Sequence, residues 1–430
     1  MNKVIKHKQI GVTRKLGIQI TVLATMLMAL GSTSVVAADM GGGLELSGYT
    51  RGGVFTGTPR GGYTLGGDMQ KFRLGNEGDN GFELEIRKTF DAGNGMKWSL
   101  DYMPTVWNGT QYTQQAYAEM TGMEFAPEAK FWAGQRRLRI QDVHIVDHFF
   151  MDYGLNYGAG MTDYSLGFAK LGVGVFNGGS LDNHNSTQNN ARRVNVDLSE
   201  IKSNPGGVIR VLATVVSGTF QFSTPGSSFS LSHNQSDFIV PGLTNTVFLQ
   251  TASGHAGLNG QFQGLGDAVA PITLNNGVVL NVQQPGMKSN RIGDSINWQS
   301  GAFGGQALVA LQNGQVEGGV NNGINTKDFT LGGRVSYATS KNFKLLLEAG
   351  NTSRSIDGQA QQQLNKITFA PTLAFGSDFW SRPEMRFYVT RATWNNAAAT
   401  ANAGTALNPG FGANGRTSST AAGVQMEVWW

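Results

Sequence analysis

The chain has 430 residues, of which 60 are glycine, roughly twice the usual glycine share. Only 14% of the residues are charged and the mean hydropathy is −0.21. This excludes a disordered polyelectrolyte, which combines high net charge with low hydrophobicity. Cysteine is absent, which excludes disulfide scaffolds, thiolate metal sites and cysteine nucleophiles. A soluble α/β enzyme, with more charge and less glycine, is disfavoured.

Residues 1–38 have the composition of a cleavable secretory signal. Five Lys and Arg precede an apolar stretch over 18–30, and small residues lead to Val36-Ala37-Ala38. The apolar stretch is shorter than the ~20 residues of a membrane-spanning helix, so a retained anchor is the less favoured alternative. Removing 1–38 leaves 28 bases against 29 acids and lowers the formal net charge from +4 to −1. The basic character therefore offers no support for nucleic-acid binding, and we predict an exported protein with one domain over 39–430.

Period-two alternation of apolar and polar residues runs through the rest of the chain, with no stretch of 18 consecutive apolar residues. Successive side chains of a strand point to opposite faces, so each segment has one apolar and one more polar face. In chain order, the apolar faces are Leu44 and Leu46; Phe82, Leu84 and Ile86; Phe343, Leu345, Leu347 and Ala349; Met385, Phe387 and Val389. Turn residues over 92–95, 204–207 and 321–323 separate such segments. The pattern predicts an all-β protein.

A soluble β-sandwich would show the same alternation, but three features favour a transmembrane antiparallel β-barrel. The chain is predicted to be exported, aromatic residues fall at strand ends, and the last strand is amphipathic and ends in Trp430. In that strand Val424 and Met426 face one side, and Gln425 and Glu427 face the other. Closing the sheet into a barrel gives every backbone N–H and C=O group in the lipid region a hydrogen-bond partner. At roughly 22 residues per strand with its connections, the domain has about 18 strands, and 183–193, 223–236 and 397–420 are predicted external loops.

Several blocks of sequence resemble the maltoporins, the sugar-specific trimeric porins. In chain order they are Lys71-Phe72-Arg73-Leu74-Gly75-Asn76-Glu77, Trp132-Ala133-Gly134-Gln135-Arg136, Gln141-Asp142-Val143-His144-Ile145-Val146-Asp147, Asn204-Pro205-Gly206-Gly207, Lys366-Ile367-Thr368 with Phe379-Trp380-Ser381-Arg382-Pro383, and Val424-Gln425-Met426-Glu427-Val428-Trp429-Trp430. The resemblance implies an 18-stranded homotrimeric barrel in the bacterial outer membrane. It also implies that the third loop, around 141–147, folds into the lumen as a constriction.

The resemblance further implies a lane of aromatic side chains along which a sugar passes, flanked by ionic side chains. The alternation places Tyr49 with Arg51, and Trp429 with Glu427, on the polar faces that would line the lumen. Trp380 lies on the same strand face as Arg386 if the strand runs unbroken past Pro383, because the two are an even number of positions apart. The remaining aromatic candidates are Trp107, which resembles the aromatic that a family loop inserts into the neighbouring subunit, and Phe72, Phe82 and Trp430, which are predicted to face lipid or form aromatic girdles.

The ionic track and constriction predicted from the resemblance comprise Arg51, Arg73, Glu83, Asp142, Asp147 and Phe149. The alternative for each charge is a solvated polar face, since any water-filled lumen is lined with charges. The sequence also departs from the family pattern: Gly81 stands at a lane tyrosine, Phe149 at the constriction tyrosine, Gln114 and Ile140 at two constriction arginines, and Gly78 at a first-loop cysteine. We therefore expect a facilitated-diffusion channel for maltose, maltodextrins or related oligosaccharides, with a general diffusion porin as the alternative.

Other classes of function are less favoured. His144 and His148 are four residues apart with Asp147 between them, but no third metal ligand is evident. No nucleophile elbow or phosphate-binding loop occurs in its required context, so we expect neither an enzyme nor a cofactor or metal. A receptor or adhesin role of the Gly/Ser/Asn-rich loops remains open alongside transport. The predicted partners are oligosaccharides, outer-membrane lipid and two further copies of the chain.

Overall fold

The computed structural model describes residues 38–59, 61–177, 192–217, 225–256, 269–273, 279–283, 286–317, 321–405 and 408–430. Residues 1–37 of the predicted signal and most of the predicted loop 183–193 lie outside these ranges. No helix in the described part of the chain is long and apolar enough to cross a membrane.

Eighteen antiparallel strands form one closed barrel, in which each strand pairs with the next along the chain and the last pairs with the first. Closure joins Tyr49 of the first strand to Trp429 of the last. The strands are β1 Leu44–Thr56, β2 Gly81–Gly93, β3 Met96–Trp107, β4 Thr110–Thr121, β5 Lys130–Val143, β6 His148–Ser165, β7 Lys170–Asn177, β8 Arg192–Asn204, β9 Gly207–Ser217, β10 Gly226–Gln235, β11 Leu243–Ala252, β12 Gly286–Ser300, β13 Phe303–Glu317, β14 Asn325–Ser340, β15 Phe343–Ile356, β16 Gln362–Ala374, β17 Glu384–Trp394 and β18 Ser418–Trp429. The predicted fold class and strand number are confirmed.

The alternation along the strands divides an apolar outer face from a polar interior. In β15, Leu347 is 43% exposed, whereas Lys344 and Glu348 are fully buried. In β18, Val424 and Met426 are exposed, whereas Gln425 and Glu427 are buried. This pattern is opposite to that of a water-soluble sheet, and it places apolar side chains where lipid contacts the barrel.

The connections between strands vary in length: the two residues 108–109 join β3 to β4, whereas the segment 395–417 joins β17 to β18. The predicted turns over 92–95, 204–207 and 321–323 all lie between consecutive strands. Within the connections lie helix α1 (Asn396–Ala401), the 3-10 turns His144–Val146, Gly254–Ala256 and Ala413–Gly415, and the short strand pairs Val269–Thr273 with Val279–Gln283 and Gly404–Thr405 with Asn408–Pro409. A further two-residue strand, Ala38–Asp39, pairs with β1.

One loop prediction is wrong. Of the predicted external loop 223–236, Gly226–Gln235 form strand β10, and 223–224 lie outside the described residues. Serines in this strand occupy the buried face, as Ser230 and Ser232 are each 1% exposed, while Phe229 points outward at 45%. The composition is typical of a loop, but the period-two placement of the apolar residues is that of a strand. The predicted loop 397–420 does include α1 and the irregular segment before β18.

Two segments leave the wall and contact inward-facing side chains. The connection after β1 carries Phe72, which is 3% exposed and lies against Gly332 and Gly350, so its predicted lipid-facing or girdle position is wrong. Those two glycines leave room on β14 and β15 for the ring, since a Cβ at Gly350 would lie 2.0 Å from it. Further along, Leu74 donates its backbone N–H to Glu348 at 2.9 Å. The wall therefore holds this connection by packing and by hydrogen bonds.

The second segment is the hairpin between β5 and β6. Strand β5 pairs with β4 only as far as Gln135, and β6 pairs with β7 only from Gly158 onward. Between these points the two strands pair with each other alone. At the end of the hairpin, the Ile145 N–H donates to Gln306 of β13 at 3.1 Å. Phe150 stacks on Phe248 of β11 with ring centroids 4.1 Å apart.

Candidate functional site

A cavity of about 700 Å³ lies between strands β1–β4, the end of β18 and the β5–β6 hairpin. Three aromatic rings of the predicted lane, Tyr49, Trp107 and Trp429, line it together. All five charged residues predicted for the ionic track also line it: Arg51, Arg73, Glu83, Asp142 and Asp147. Four more charged side chains bring the charged lining to nine: Asp79, Glu85, Arg137 and Arg139. The cavity also includes Phe149. The structure thus brings nine of the ten predicted site residues to one place.

Tyr49 and Trp107 form a pair of nearly parallel rings with centroids 6.3 Å apart and an angle of 26° between their planes. The Trp107 indole N–H donates to Glu83 at 3.3 Å, and the Arg51 guanidinium lies 4.9 Å from the centre of its ring. Trp107 ends strand β3 on the inward parity of Asp101. Its indole therefore lines the interior cavity of this chain.

Trp380 occupies a different position from the other three aromatics. Strand β17 begins at Glu384, so the assumption of a strand running unbroken past Pro383 is wrong; proline has no N–H for the sheet ladder. Trp380 instead packs against Phe379 and lies edge-on to His144, with ring centroids 5.3 Å apart. His144 is also edge-on to Trp429 at 5.5 Å. Trp380 thus contacts the same imidazole as Trp429.

A buried charge cluster lies beneath this aromatic group and centres on Glu427. The carboxylate accepts hydrogen bonds from Arg73 at 2.7 Å, from Arg382 at 3.0 Å and from Arg386. The Tyr49 hydroxyl also donates to it at 2.8 Å. Charge-assisted hydrogen bonds of this kind are about twice as strong as neutral ones, so the cluster fixes the position of the Tyr49 ring.

Arg51 and Arg137 of the cavity wall form further ion pairs. Arg51 bonds to Glu77 at 2.7 Å and to Asp79 through two nitrogens, at 2.9 and 2.7 Å. Arg137, from the hairpin, holds Glu83 through two nitrogens at 3.1 and 2.9 Å. Bidentate pairs of this kind set orientation as well as adding energy. These charged side chains are therefore ordered before any solute enters.

The turn of the hairpin carries an acid and an imidazole with shifted pKa values. Burial by itself raises the pKa of Asp147, but the positive charges of Arg73, Lys71 and Arg51 outweigh it and hold this pKa below its usual range. Burial, together with the nearby Arg73 guanidinium, lowers the pKa of His144 well below its usual value. At neutral pH Asp147 is therefore ionised and His144 is uncharged.

Sequence reasoning did not select several residues that the structure places in the cavity. Arg139 lies over the Phe149 ring at 4.4 Å, and Gln115 donates to Glu85 at 3.1 Å. The run of arginines over 136–139 was visible in the sequence, but their direction depends on where the hairpin leaves the wall after Gln135. Among the described residues, no group of three or more His, Asp or Glu side chains could hold a metal ion.

A family model described as LamB porin matches residues 44–430. The chain belongs to the LamB porin family. Family and barrel together identify a porin channel of the bacterial outer membrane. The match spans every strand of the barrel, so it agrees with the resemblance drawn from the separate sequence blocks.

Three solved structures are similar to this porin at low sequence identity. The loop L8 deletion mutant of OmpT from Vibrio cholerae is 12% identical with a TM-score of 0.48, over 90% of this chain and 99% of that one. OccK5 (OpdH) of Pseudomonas aeruginosa is 10% identical with a TM-score of 0.48, over 91% and 99%. Salmonella typhi OmpF, in a complex with daunomycin, is 10% identical with a TM-score of 0.47, over 90% and 97%.

Proposed function

We propose that this porin is a facilitated-diffusion channel for sugars: maltose, maltodextrins or related oligosaccharides. The observation that carries the proposal is the shared cavity, in which the rings of Tyr49, Trp107 and Trp429 lie beside nine charged side chains. A pyranose ring has an apolar face and a rim of hydroxyl groups. Aromatic faces cover the first, and ionised side chains make strong hydrogen bonds to the second. In this proposal the aromatic lane binds the apolar face of the sugar, and the ionic track binds its hydroxyl groups.

The ion pairs favour transient binding. Arg51 and Glu83 already have charged partners at 2.7–3.1 Å, so each can share a hydrogen bond with a passing hydroxyl without leaving a buried charge unpaired. A transport site must bind well enough to admit the solute and loosely enough to release it. Side chains held in place before binding also reduce the entropy lost when the sugar is ordered.

We further propose that the β5–β6 hairpin narrows the channel, as the predicted constriction. Its residues Arg137, Arg139, Asp142 and Phe149 line the cavity together with Tyr49 of β1. Phe149 has no hydroxyl to donate, but its ring supports the Arg139 guanidinium at 4.4 Å. The narrow point then combines an aromatic ring and a cation, which suits a solute with both apolar and hydroxyl surfaces.

The assembly and targeting proposals rest on the family resemblance and on the sequence. We propose a homotrimer embedded in outer-membrane lipid, reached by export after removal of residues 1–38. The apolar outer face, with Leu347, Phe387 and Val389 each more than 40% exposed, fits a lipid environment.

The test is single-channel conductance in a planar bilayer while maltooligosaccharides and sucrose are titrated. We expect saturable block of the current by one sugar series and at least tenfold weaker block in Trp429→Ala, which removes a cavity ring. Trp98→Ala is the matched control, because Trp98 is on the outer face and 39% exposed; it should leave the block unchanged. Current that stays steady at every sugar concentration would identify a general diffusion porin and refute the proposal.

A further inference from the structure

Gly81 occupies the middle of a row of three inward positions on neighbouring strands. It pairs directly with Arg51 of β1 on one side and with Trp107 of β3 on the other. Residues directly opposite in antiparallel strands have Cβ atoms about 5 Å apart. A side chain at the middle position would normally separate the two flanking residues.

The absence of a side chain at Gly81 lets the Trp107 indole lie across β2. A Cβ built at Gly81 would be 2.2 Å from two atoms of the indole ring, a separation that van der Waals contact forbids. From this position the ring reaches the Arg51 guanidinium at 4.9 Å and the Tyr49 ring at 6.3 Å. Both contacts bridge from β3 to β1 over the glycine.

The next inward row completes the support of the indole. There, Glu83 pairs with Tyr49 on β1, and it accepts the hydrogen bond of the Trp107 indole N–H at 3.3 Å. Glu83 is held in turn by the two hydrogen bonds from Arg137 of the hairpin. The indole of Trp107 therefore packs over Gly81, donates its N–H to Glu83 and has the Arg51 guanidinium against its face.

We propose that Gly81 is a specificity-determining residue: it seats Trp107 on the wall so that one chain supplies a two-ring platform, Tyr49 with Trp107, for an apolar sugar face. The inference rests on the proposed sugar channel and adds to it. The family tyrosine absent at position 81 is replaced in function by a ring from the adjacent strand of the same subunit. A larger residue at position 81 displaces that ring into the cavity.

The experiment compares Gly81→Ala, Trp107→Ala and the double variant in planar bilayers, with maltotriose as the probe. Folding of each variant is checked by far-UV circular dichroism. We expect each single variant to raise the half-blocking concentration about tenfold, equivalent to about 1.4 kcal/mol. The half-blocking concentration of the double variant should be no higher than that of Trp107→Ala alone, because Gly81 acts through that ring. Gly61→Ala is the control, since no atom lies within 4 Å of a Cβ built there.

Ion conductance without sugar separates this inference from the proposed function. Gly81→Ala should change the conductance when Trp107 is present and leave it unchanged in the Trp107→Ala background. An unchanged half-blocking concentration in Gly81→Ala, or additive losses in the double variant, would overturn the role of Gly81 while the sugar channel stands. Absence of maltotriose block in the wild-type protein would refute the proposed function itself, and the conductance pattern would still report whether Gly81 seats the ring.

Discussion

Replacing Glu427 by glutamine tests whether the buried charge cluster holds the barrel interior together. The carboxylate is fully buried and bonds three arginines, Arg73, Arg382 and Arg386. Glutamine has nearly the same shape but carries no charge, so Glu427→Gln removes the electrostatic attraction with little change in packing. It also replaces one acceptor oxygen by an NH2 group that faces Arg or Tyr donors, so the variant removes the charge together with the hydrogen bonds accepted at that oxygen.

The expected loss is about 3 kcal/mol of unfolding free energy. Breaking a buried ion pair by removing one partner costs about 3–5 kcal/mol, since it leaves the other charge buried without compensation. Here each arginine keeps one carboxylate: Arg73 retains Glu77 at 3.1 Å, and Arg382 and Arg386 retain Glu384 at 3.2 and 2.7 Å. The lower end of that range therefore applies.

The assay is reversible denaturant unfolding in lipid vesicles, followed by far-UV circular dichroism. Asp163→Asn is the matched control, because it neutralises a carboxylate whose 2.8 Å pair with Lys130 lies at the surface, with side chains 32% and 46% exposed. Surface pairs contribute about 0–1 kcal/mol. If Glu427→Gln loses no more than Asp163→Asn, water screens the cluster and our account of it is refuted. The double variant with Arg386→Gln should lose less than the sum of its parts.

Two further predictions concern the hairpin. Phe150→Ala removes a ring stacked on Phe248 at 4.1 Å and 1% exposed; we expect a loss of about 3–5 kcal/mol and a larger ion conductance, and an unchanged unfolding midpoint would contradict this. Because Asp147 has a lowered pKa, wild type should be more stable than Asp147→Asn at pH 7, and this advantage should shrink as pH falls below about 4, the unfolded-state value. Unfolding curves at several pH values test this, and a constant difference down to pH 2 would count against it.

The sequence predicted the features that depend on local periodicity. Alternation along single strands was enough to orient Glu427 inward and Val424 outward, because side-chain direction has a strict period of two in a strand. The same rule placed Tyr49 and Trp429 on the interior. The strand number followed from the length of the domain at roughly 22 residues per strand with its connections, and the family resemblance implied the same number.

Reasoning from strand alternation and residue type gave wrong positions for residues that lie outside a strand. Trp380 was assigned by parity, but parity has no meaning ahead of Pro383, where β17 has not yet begun. Phe72 was assigned to lipid or a girdle by residue type, yet it packs inside against Gly332 and Gly350. Nothing near Phe72 in the sequence indicates that two glycines 260 or more residues later leave room for it.

What the sequence determined by itself is therefore the barrel, its two faces and the chemical types that line its interior, since these follow from short-range periodicity. Tertiary structure alone decided which interior residues meet. The register of β1, β2 and β3 brings Arg51, Gly81 and Trp107 into one row, and the hairpin brings Arg137 to Glu83. Register and hairpin direction are set by pairing between distant segments, which short-range periodicity does not specify. From the sequence, Gly81 only removes an aromatic side chain from the lane; in the folded barrel it leaves the space that the Trp107 ring occupies.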